Sequence, residues 1–450
     1  MSLKYFGTDG IRGQYGRSPI TEAFAKRMSE GLCRYLKKAG SGSSVIVIGR
    51  DTRASGASLA RTFSENLCRL GYHVIDLGVL PTPQVSFAVT EYQAALGLTI
   101  TASHNPAEDN GFKLFNARGT KFTPEQEAEI EACIDAEGTI ETDMPGEIVH
   151  DEGAITIRYF KRLRQFFPEL SLKGMKVAVD AANGATSAVT PMFLESLGAK
   201  VFGFADRPDG LNINDGVGSE HPGELVRTVV EMKCDLGIAH DGDGDRVVIV
   251  DGAGTMISGE HFMAIIAKYG KNNAATAANP LITTIQSNLA LDKFVQGLGS
   301  SVIRTSVGDR NVVYEMLTRN SSFGGENSGH YVFADVLPTG DGLVAALKLL
   351  EVLQVTGKTL GDLADELTLY PSKTINLRIA EKLPMETLPT LAACRKGVEE
   401  RLGNDGRILL RYSGTENKLR ILVECEGEAM LQSLMTELVD AAKADLEVVP

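Results

Sequence analysis

Val45-Ile46-Val47-Ile48, the polar loop Gly49-Arg50-Asp51-Thr52-Arg53-Ala54-Ser55-Gly56, the amphipathic segment Ser58 to Leu70, Gly71, and the apolar run Val74 to Leu77 form one readable unit. The two apolar runs read as buried strands, the segment between them as a helix, and Leu-Gly as its stop. Together they make a βαβ unit with a glycine C-cap. The unit recurs twice. Val177 to Val179 is followed by the small-residue loop Ala181 to Thr186, a helical pattern to Leu197, Gly198, and Val201 to Phe204. Leu281 to Ile285 is followed by Ser287-Asn288, a helical pattern to Leu298, Gly299, and Val302-Ile303. Three copies spaced by roughly a hundred residues predict three similar α/β domains. One large doubly wound domain is the alternative, and the copy spacing and the polar stretches between copies argue against it.

Working outward, Thr123-Pro124-Glu125-Gln126 starts a helix with a capping box and proline at its first position. Glu137 to Asp151 is acidic and turn-rich and reads as a domain-edge loop, and Ala154 to Phe167 as a helix joining two domains. The character changes near Pro371. Lys373 to Ile379, Arg407 to Tyr412 and Arg420 to Glu424 read as strands, and Leu388 to Leu402 and Met430 to Leu446 as helices, which makes a small α+β domain. The expected domains are residues 1–153, 154–254, 255–370 and 371–450.

With 45 Lys and Arg against 58 Asp and Glu, the 450-residue chain carries a formal charge of −13. That balance, without a long basic run, disfavours nucleic acid as a partner, while local arginines and backbone N–H groups can still bind a small anion. Six scattered cysteines without a CxxC pair suggest buried, reduced thiols rather than a disulfide or zinc framework. No signal segment or bilayer-length apolar run is present, so a soluble, cytoplasmic protein that does not bind membranes is expected.

Four loops carry chemistry. The buried run Ala94 to Ile100 ends in Thr101-Ala102-Ser103-His104-Asn105-Pro106. A serine at the end of a buried strand beside a histidine suits a nucleophile, and the same residues also suit an ordinary turn. His240-Asp241-Gly242-Asp243-Gly244-Asp245-Arg246 lies between the apolar runs Leu236 to Ala239 and Val247 to Val250. In an extended loop its carboxylates at i, i+2 and i+4 point one way and offer three hard oxygen ligands, which favours Mg²⁺. Gly252 sits where an EF-hand would need glutamate, and strands flank the loop, so that reading fails. Gly324-Gly325-Glu326-Asn327-Ser328-Gly329-His330 suits sugar hydroxyls or a glycine-rich turn, and Arg411-Tyr412-Ser413-Gly414-Thr415-Glu416-Asn417 with Arg420 suits a phosphate cradle or a charged hairpin. Thr305-Ser306-Val307-Gly308-Asp309-Arg310 is a weaker signal of the same kind. The chain has neither a Gly-x-Ser-x-Gly elbow nor a nucleotide P-loop.

Taken together and in this order, the loops resemble those of the α-D-phosphohexomutase family, over a match from Phe6 to about Glu424. The start Lys4-Tyr5-Phe6-Gly7-Thr8-Asp9-Gly10-Ile11-Arg12-Gly13 and Val307-Gly308-Asp309-Arg310 most resemble the bacterial branch that acts on glucosamine phosphates. The resemblance implies an α/β fold of three similar α/β domains with mixed sheets plus a C-terminal α+β domain, around a central cleft. It implies reversible conversion of glucosamine 6-phosphate to glucosamine 1-phosphate through phosphorylated Ser103 and a hexosamine 1,6-bisphosphate, feeding UDP-N-acetylglucosamine synthesis. One Mg²⁺ would be held by Asp241, Asp243, Asp245 and the phosphate on Ser103. Arg246 would serve the phosphoserine side, and Arg411, Ser413, Gly414, Thr415 and Arg420 would hold the non-reacting phosphate. Glu326 and Ser328 would grip ring hydroxyls, with Asp309, Arg310 and His330 also on the substrate. Lys113, His104 and Arg12 are the candidates for acid/base work. Some family members suggest a homodimer. The same chemistry on mannose or glucose phosphates, a sugar-phosphate phosphatase and a silent sugar-phosphate sensor are the rival functions.

Overall fold

A computed structural model describes residues 3–7, 9–138, 140, 142, 144–270, 279–413 and 416–449 of the chain. It forms two compact units. One comprises Met1–Gln286 with Leu298–Asp365, the other Ser287–Gly297 with Glu366–Pro450.

In the first unit, the opening strand β1 (Ile11–Gln14) and helix α1 (Glu22–Lys38) precede the first repeat. That repeat runs β2 (Val45–Arg50), α2 (Gly56–Arg69), β3 (His73–Val79), α3 (Thr82–Glu91), β4 (Leu96–Ile100) and β5 (Asp109–Asn116). Helix α4 (Pro124–Asp135) follows, its capping box formed by Thr123 and Gln126 as the sequence predicts. The expected edge loop before Asp151 is not loop throughout. Ile148–His150 forms a short strand, β6, parallel to β3, because the open edge of β3 offers unpaired backbone groups. The sheet order is β1-β5-β4-β2-β3-β6, with β1, β2, β3, β4 and β6 running one way and β5 running back between β1 and β4.

Helix α5 (Ala154–Phe166) leads into the second repeat: β7 (Lys176–Asp180), α6 (Val189–Ser196), β8 (Lys200–Phe204), α7 (Gly223–Met232), β9 (Leu236–His240) and β10 (Val247–Asp251). Strand β11 (Met256–Ile257) extends this sheet, in the order β11-β10-β9-β7-β8. Helix α8 (Gly259–Tyr269) then leads to the third repeat: β12 (Leu281–Thr284), α9 (Ala290–Gly297), β13 (Val302–Thr305), α10 (Asp309–Arg319), β14 (Phe323–Gly325) and β15 (Tyr331–Phe333), in the order β13-β12-β14-β15. Helices α11 (Gly342–Thr356) and α12 (Leu360–Ala364) close the unit.

Each repeat places its first strand between its second and third, parallel to both, and returns through an antiparallel fourth. Strands β4 and β9 are buried along their whole length, as their apolar runs require.

The second unit is an antiparallel sheet, β16 (Ser372–Arg378), β17 (Gly406–Tyr412) and β18 (Lys418–Cys425) in the order β16-β18-β17, covered by α13 (Pro389–Leu402) and α14 (Glu428–Asp445). Helix α9, which the sequence places in the third α/β layer, groups here. Leu289 N donates to the buried Glu424 carboxylate, which also takes Arg407 Nε at 2.7 Å, and Asn288 bonds Tyr370. The six cysteines are free, but only Cys33, Cys234 and Cys425 are buried, and Cys68, Cys133 and Cys394 are partly exposed. No helix among the described residues is long and apolar enough to cross a membrane.

The Leu-Gly stops have a conformational cause. Gly198 and Gly299 sit at φ +99° and +77°, where an L side chain is strained. Gly299→Ala should lower stability in urea unfolding by about 1 kcal/mol. Gly198→Ala should cost more, because its Cβ would also stand 3.3 Å from the Lys173 backbone. Equal midpoints for both variants and wild type would contradict this reading.

Candidate functional site

The chemistry-bearing loops of the first unit occupy one topological position. Residues 101–108 join β4 to β5, residues 241–246 join β9 to β10, and residues 326–330 join β14 to β15. All three leave the C-terminal end of a strand in the parallel part of a sheet, where helix and strand ends leave a crevice. The sequence repeat shows only the first half of each unit, so this equivalence emerges from the fold.

The loops touch. Thr82 N donates to Asp243 O at 2.9 Å and Val247 N to Gly329 O at 3.0 Å, while Arg246 pairs with His330 as an isolated bridge. A Cβ on Gly242 would stand 2.7 Å from Ser103 O and 2.9 Å from Asn214 Nδ2, so only glycine lets the acidic loop reach the serine loop. The acidic loop is a turn rather than the extended path expected, with Gly244 at φ +73°. The turn still gathers its carboxylates. Oxygens of Asp241, Asp243 and Asp245 lie within 4.8 Å of one another, and all three residues are buried. Helix α11 backs this turn, since Gly342 N donates to Gly244 O at 3.0 Å and Asp341 caps the helix at Leu343 and Val344.

Ser103 is fully buried and held at φ +54°, a left-handed backbone that costs an L residue about 1–2 kcal/mol. Its Oγ donates to Asp241 Oδ2 at 2.6 Å, and His104 Nδ1 stands 3.4 Å from Ser103 Oγ. Burial, then the charges of Arg246 and Arg12, lower the His104 pKa, which favours the neutral ring. The strained turn is braced. Thr101 Oγ1 accepts from Ser103 N at 2.9 Å and donates to Asp51, and Asp51 pairs with Arg53 at 2.9 Å with neither side chain exposed.

Burial, then Asp245 and Asp243, push the Asp241 carboxyl well above its usual range. Lys113, on β5, relieves the cluster through Asp243 at 2.8 Å, Asp245 at 2.6 Å and Asp9 at 3.2 Å. Burial alone would lower the Lys113 pKa, but Asp243, Asp245 and Asp9 together hold it well above the usual value. Burial would likewise raise Asp245, and Lys113 and His330 outweigh it. One lysine does not satisfy the cluster. Asp243 Oδ1 and Asp245 Oδ1 are buried with no hydrogen-bond partner among the described residues. Orphaned carboxylate oxygens facing two further carboxylates fit a hard divalent cation.

The remaining predicted residues fall into three groups. Arg12, on β1, pairs with Asp9 of the opening turn, whose neighbour Thr8 lies outside the described residues. Asp309 pairs with Lys121 and stands 3.3 Å from His330 Nε2, while Arg310 pairs with Glu127 of α4. Glu326 is buried, accepts from Gly308 N at 3.0 Å and has its pKa raised chiefly by burial, whereas Ser328 is exposed. Arg246 faces Glu220 at 3.7 Å. Arg411, Ser413 and Arg420 belong to the second unit. Arg411 and Arg420 are cross-strand partners on β17 and β18, and burial, then Arg420, lowers the Arg411 pKa. Two arginines held side by side favour an anion between them. Gly414 and Thr415 lie outside the described residues.

Sequence reasoning missed Asp9, Asp51, Arg53, Thr82, Lys121 and Asn214. Asp51 and Arg53 left one signal, an acid–base pair in the loop after a buried strand. The others are brought in by tertiary packing alone.

Titration with Mg²⁺ should show one site that raises Tm, and Asp243→Asn should weaken it by about tenfold or more. Unchanged affinity in that variant would remove Asp243 from the ligand set.

Models of the phosphoglucomutase/phosphomannomutase family match the chain throughout: alpha/beta/alpha domain I over residues 3–141, domain II over 157–254, domain III over 258–370 and the C-terminal domain over 375–441. The phosphoglucosamine mutase of Geobacter metallireducens is 42% identical over 97% of this chain and 98% of its own. That of Syntrophotalea carbinolica is 40% identical over 100% and 99%. Among solved structures, a phosphoglucomutase/phosphomannomutase family protein of Burkholderia thailandensis superposes with a TM-score of 0.83 at 24% identity, covering 98% of each chain. The N-acetylphosphoglucosamine mutase of Aspergillus fumigatus, solved with GlcNAc-6P and magnesium, shares the fold at a TM-score of 0.66 and 15% identity, covering 99% of this chain and 96% of that one. A buried serine facing three carboxylates, on a fold and sequence shared from end to end with these proteins, places the chain in the phosphoglucomutase/phosphomannomutase family of phosphohexomutases.

Proposed function

We propose that this phosphohexomutase interconverts glucosamine 6-phosphate and glucosamine 1-phosphate through phosphorylated Ser103. The observation that carries the reading is the Ser103 hydroxyl, 2.6 Å from Asp241 within a buried cluster of three carboxylates. The sugar assignment rests on relatives named phosphoglucosamine mutase at 38–42% identity over nearly the whole chain.

In this reading phospho-Ser103 gives its phosphoryl group to the free hydroxyl of the sugar phosphate, forming a hexosamine 1,6-bisphosphate. The bisphosphate turns over, and its other phosphate returns to Ser103. Phosphoryl transfer needs positioning and charge stabilisation above all. Asp241, Asp243, Asp245 and the phosphoserine oxygens are proposed to hold Mg²⁺, which when bound offsets charge on the phosphoryl oxygens. Lys113 and Arg246 add fixed positive charge beside that cluster. His104, in reach of Oγ, is the proposed proton partner of Ser103, while Lys113, kept charged by Asp243, Asp245 and Asp9, and Arg12 are proposed to act on the sugar hydroxyl through their charge. Glu326, a buried acceptor, and Ser328 are proposed to bind ring hydroxyls, with Asp309, Arg310 and His330 beside them. Arg411, Ser413, Gly414, Thr415 and Arg420 are proposed to hold the non-reacting phosphate. Domains of residues 1–153, 154–254, 255–370 and 371–450, a cytoplasmic location and a homodimer complete the proposal.

Comparing kcat/KM on glucosamine, mannose and glucose 6-phosphates tests the assignment. A preference for the glucosamine substrate of about tenfold or more is expected from the relatives' names. A preference for mannose or glucose would overturn it. Ser103→Ala should be inactive, and release of free phosphate at the rate of substrate loss would favour a phosphatase.

A further inference from the structure

The carbonyl oxygens of the Ser103 loop are gathered by two side chains that neither touch the proposed metal ligands' carboxylates nor offer a reacting atom. Arg53 is 1% exposed and spends every guanidinium N–H on a distinct acceptor. Nε bonds Asp51 Oδ2 at 2.9 Å, Nη1 bonds Asp109 O at 2.9 Å and also Pro106 O, and Nη2 bonds Ser103 O at 3.0 Å and Asn105 O at 2.8 Å. Asn214 arrives from a different repeat, in the connection between β8 and α7. Its Nδ2 donates to the same two oxygens, Ser103 O at 2.8 Å and Asn105 O at 3.0 Å. Asn214 is itself fixed, with φ +58° and its own N–H on Ala182 O at 2.9 Å.

Two carbonyls two residues apart are therefore each bonded twice, by the same two side chains. A carbonyl so held cannot rotate, and the peptide that follows Ser103 is locked in plane and direction. Because φ of Ser103 lies in the left-handed region, the residue would relax towards ordinary backbone if those carbonyls were released, and its Oγ would leave Asp241.

We infer that Arg53 and Asn214 form a carbonyl clamp that positions Ser103 for phosphoryl exchange, and that Asn214 couples this competence to docking of the second repeat on the first. Both act as positioning residues. The inference rests on Ser103 being the phosphorylated residue.

Asn214 is the more informative site, because it is only partly buried and sits in a loop, whereas Arg53 is enclosed. Asn214→Asp keeps the shape, removes both N–H donors and sets a carboxylate oxygen against two carbonyls. Asn214→Ala removes the donors alone, and Arg53→Lys keeps the charge but not the five-point fork. The measurements on each full-length variant are kcat and KM with the sugar phosphate, the rate of Ser103 phosphorylation by glucose 1,6-bisphosphate followed by intact mass, and Tm. For Asn214→Asp, kcat and the phosphorylation rate should fall together by about 10–100-fold, with KM within about twofold and Tm nearly unchanged. Asn214→Ala should lose less than Asn214→Asp. Arg53→Lys should lose at least as much kcat as Asn214→Ala.

Wild-type phosphorylation and turnover rates in Asn214→Asp would overturn the clamp, as would losses matched by an equal loss of folded protein. A raised KM with unchanged kcat would also overturn it, assigning Asn214 to substrate binding. If wild type takes no phosphate on Ser103, the proposed function fails, and that result is distinct from failure of the clamp.

Discussion

Mutual repulsion among Asp241, Asp243 and Asp245 is the constraint on which the site depends. Three buried carboxylates within 4.8 Å cannot all ionise without nearby positive charge. The first repeat supplies Lys113 on β5, and among the described residues two carboxylate oxygens are left without hydrogen-bond partners, an arrangement that suits a divalent cation. The same need explains the second tier of ion pairs. Asp9 takes Lys121, Lys113 and Arg12, and Lys121 reaches on to Asp309. Charges from the first and third repeats are thereby tied to a loop of the second.

Topology makes this convergence possible. Each repeat ends in an antiparallel return whose loop leaves the C-terminal end of a parallel strand. One architecture used three times therefore offers a serine loop, an acidic loop and a polar Glu-Asn-Ser loop in equivalent positions. Glycine decides how closely they meet, as at Gly242 against the Ser103 carbonyl and Gly329 against the Val247 carbonyl. A reaction that moves a phosphoryl group with little covalent chemistry by the protein gains most from such fixed placement.

The strands and helices of each βαβ unit were legible because apolar runs and Leu-Gly stops report local physics. Strands begin at Val45 and Leu281, and one residue before Val177, where the pattern places them. The four loops were legible as chemistry because carboxylates at i, i+2 and i+4 or a serine beside a histidine are unusual between buried strands. The short β6, the grouping of α9 with the C-terminal residues, and the turn at Gly242 were not legible, since pairing partners and contacts decide them. The same holds for Asn214 and Lys121. Nothing in the residues around Asn214 announces that its amide reaches carbonyls more than a hundred positions away. Arg53 was half visible, as a charge in a loop beside Asp51, but only the fold shows four of its five bonds converging on carbonyls between Ser103 and Asp109.

The most direct measurement follows one labelled phosphoryl group. Protein phosphorylated on Ser103 with an isotopic label, mixed with glucosamine 6-phosphate in a single turnover, should transfer the label to the sugar. It should appear first in a hexosamine 1,6-bisphosphate and then in glucosamine 1-phosphate, as Ser103 regains an unlabelled phosphate. Label that remains on the protein while product forms, or that leaves directly as free phosphate, would contradict the account.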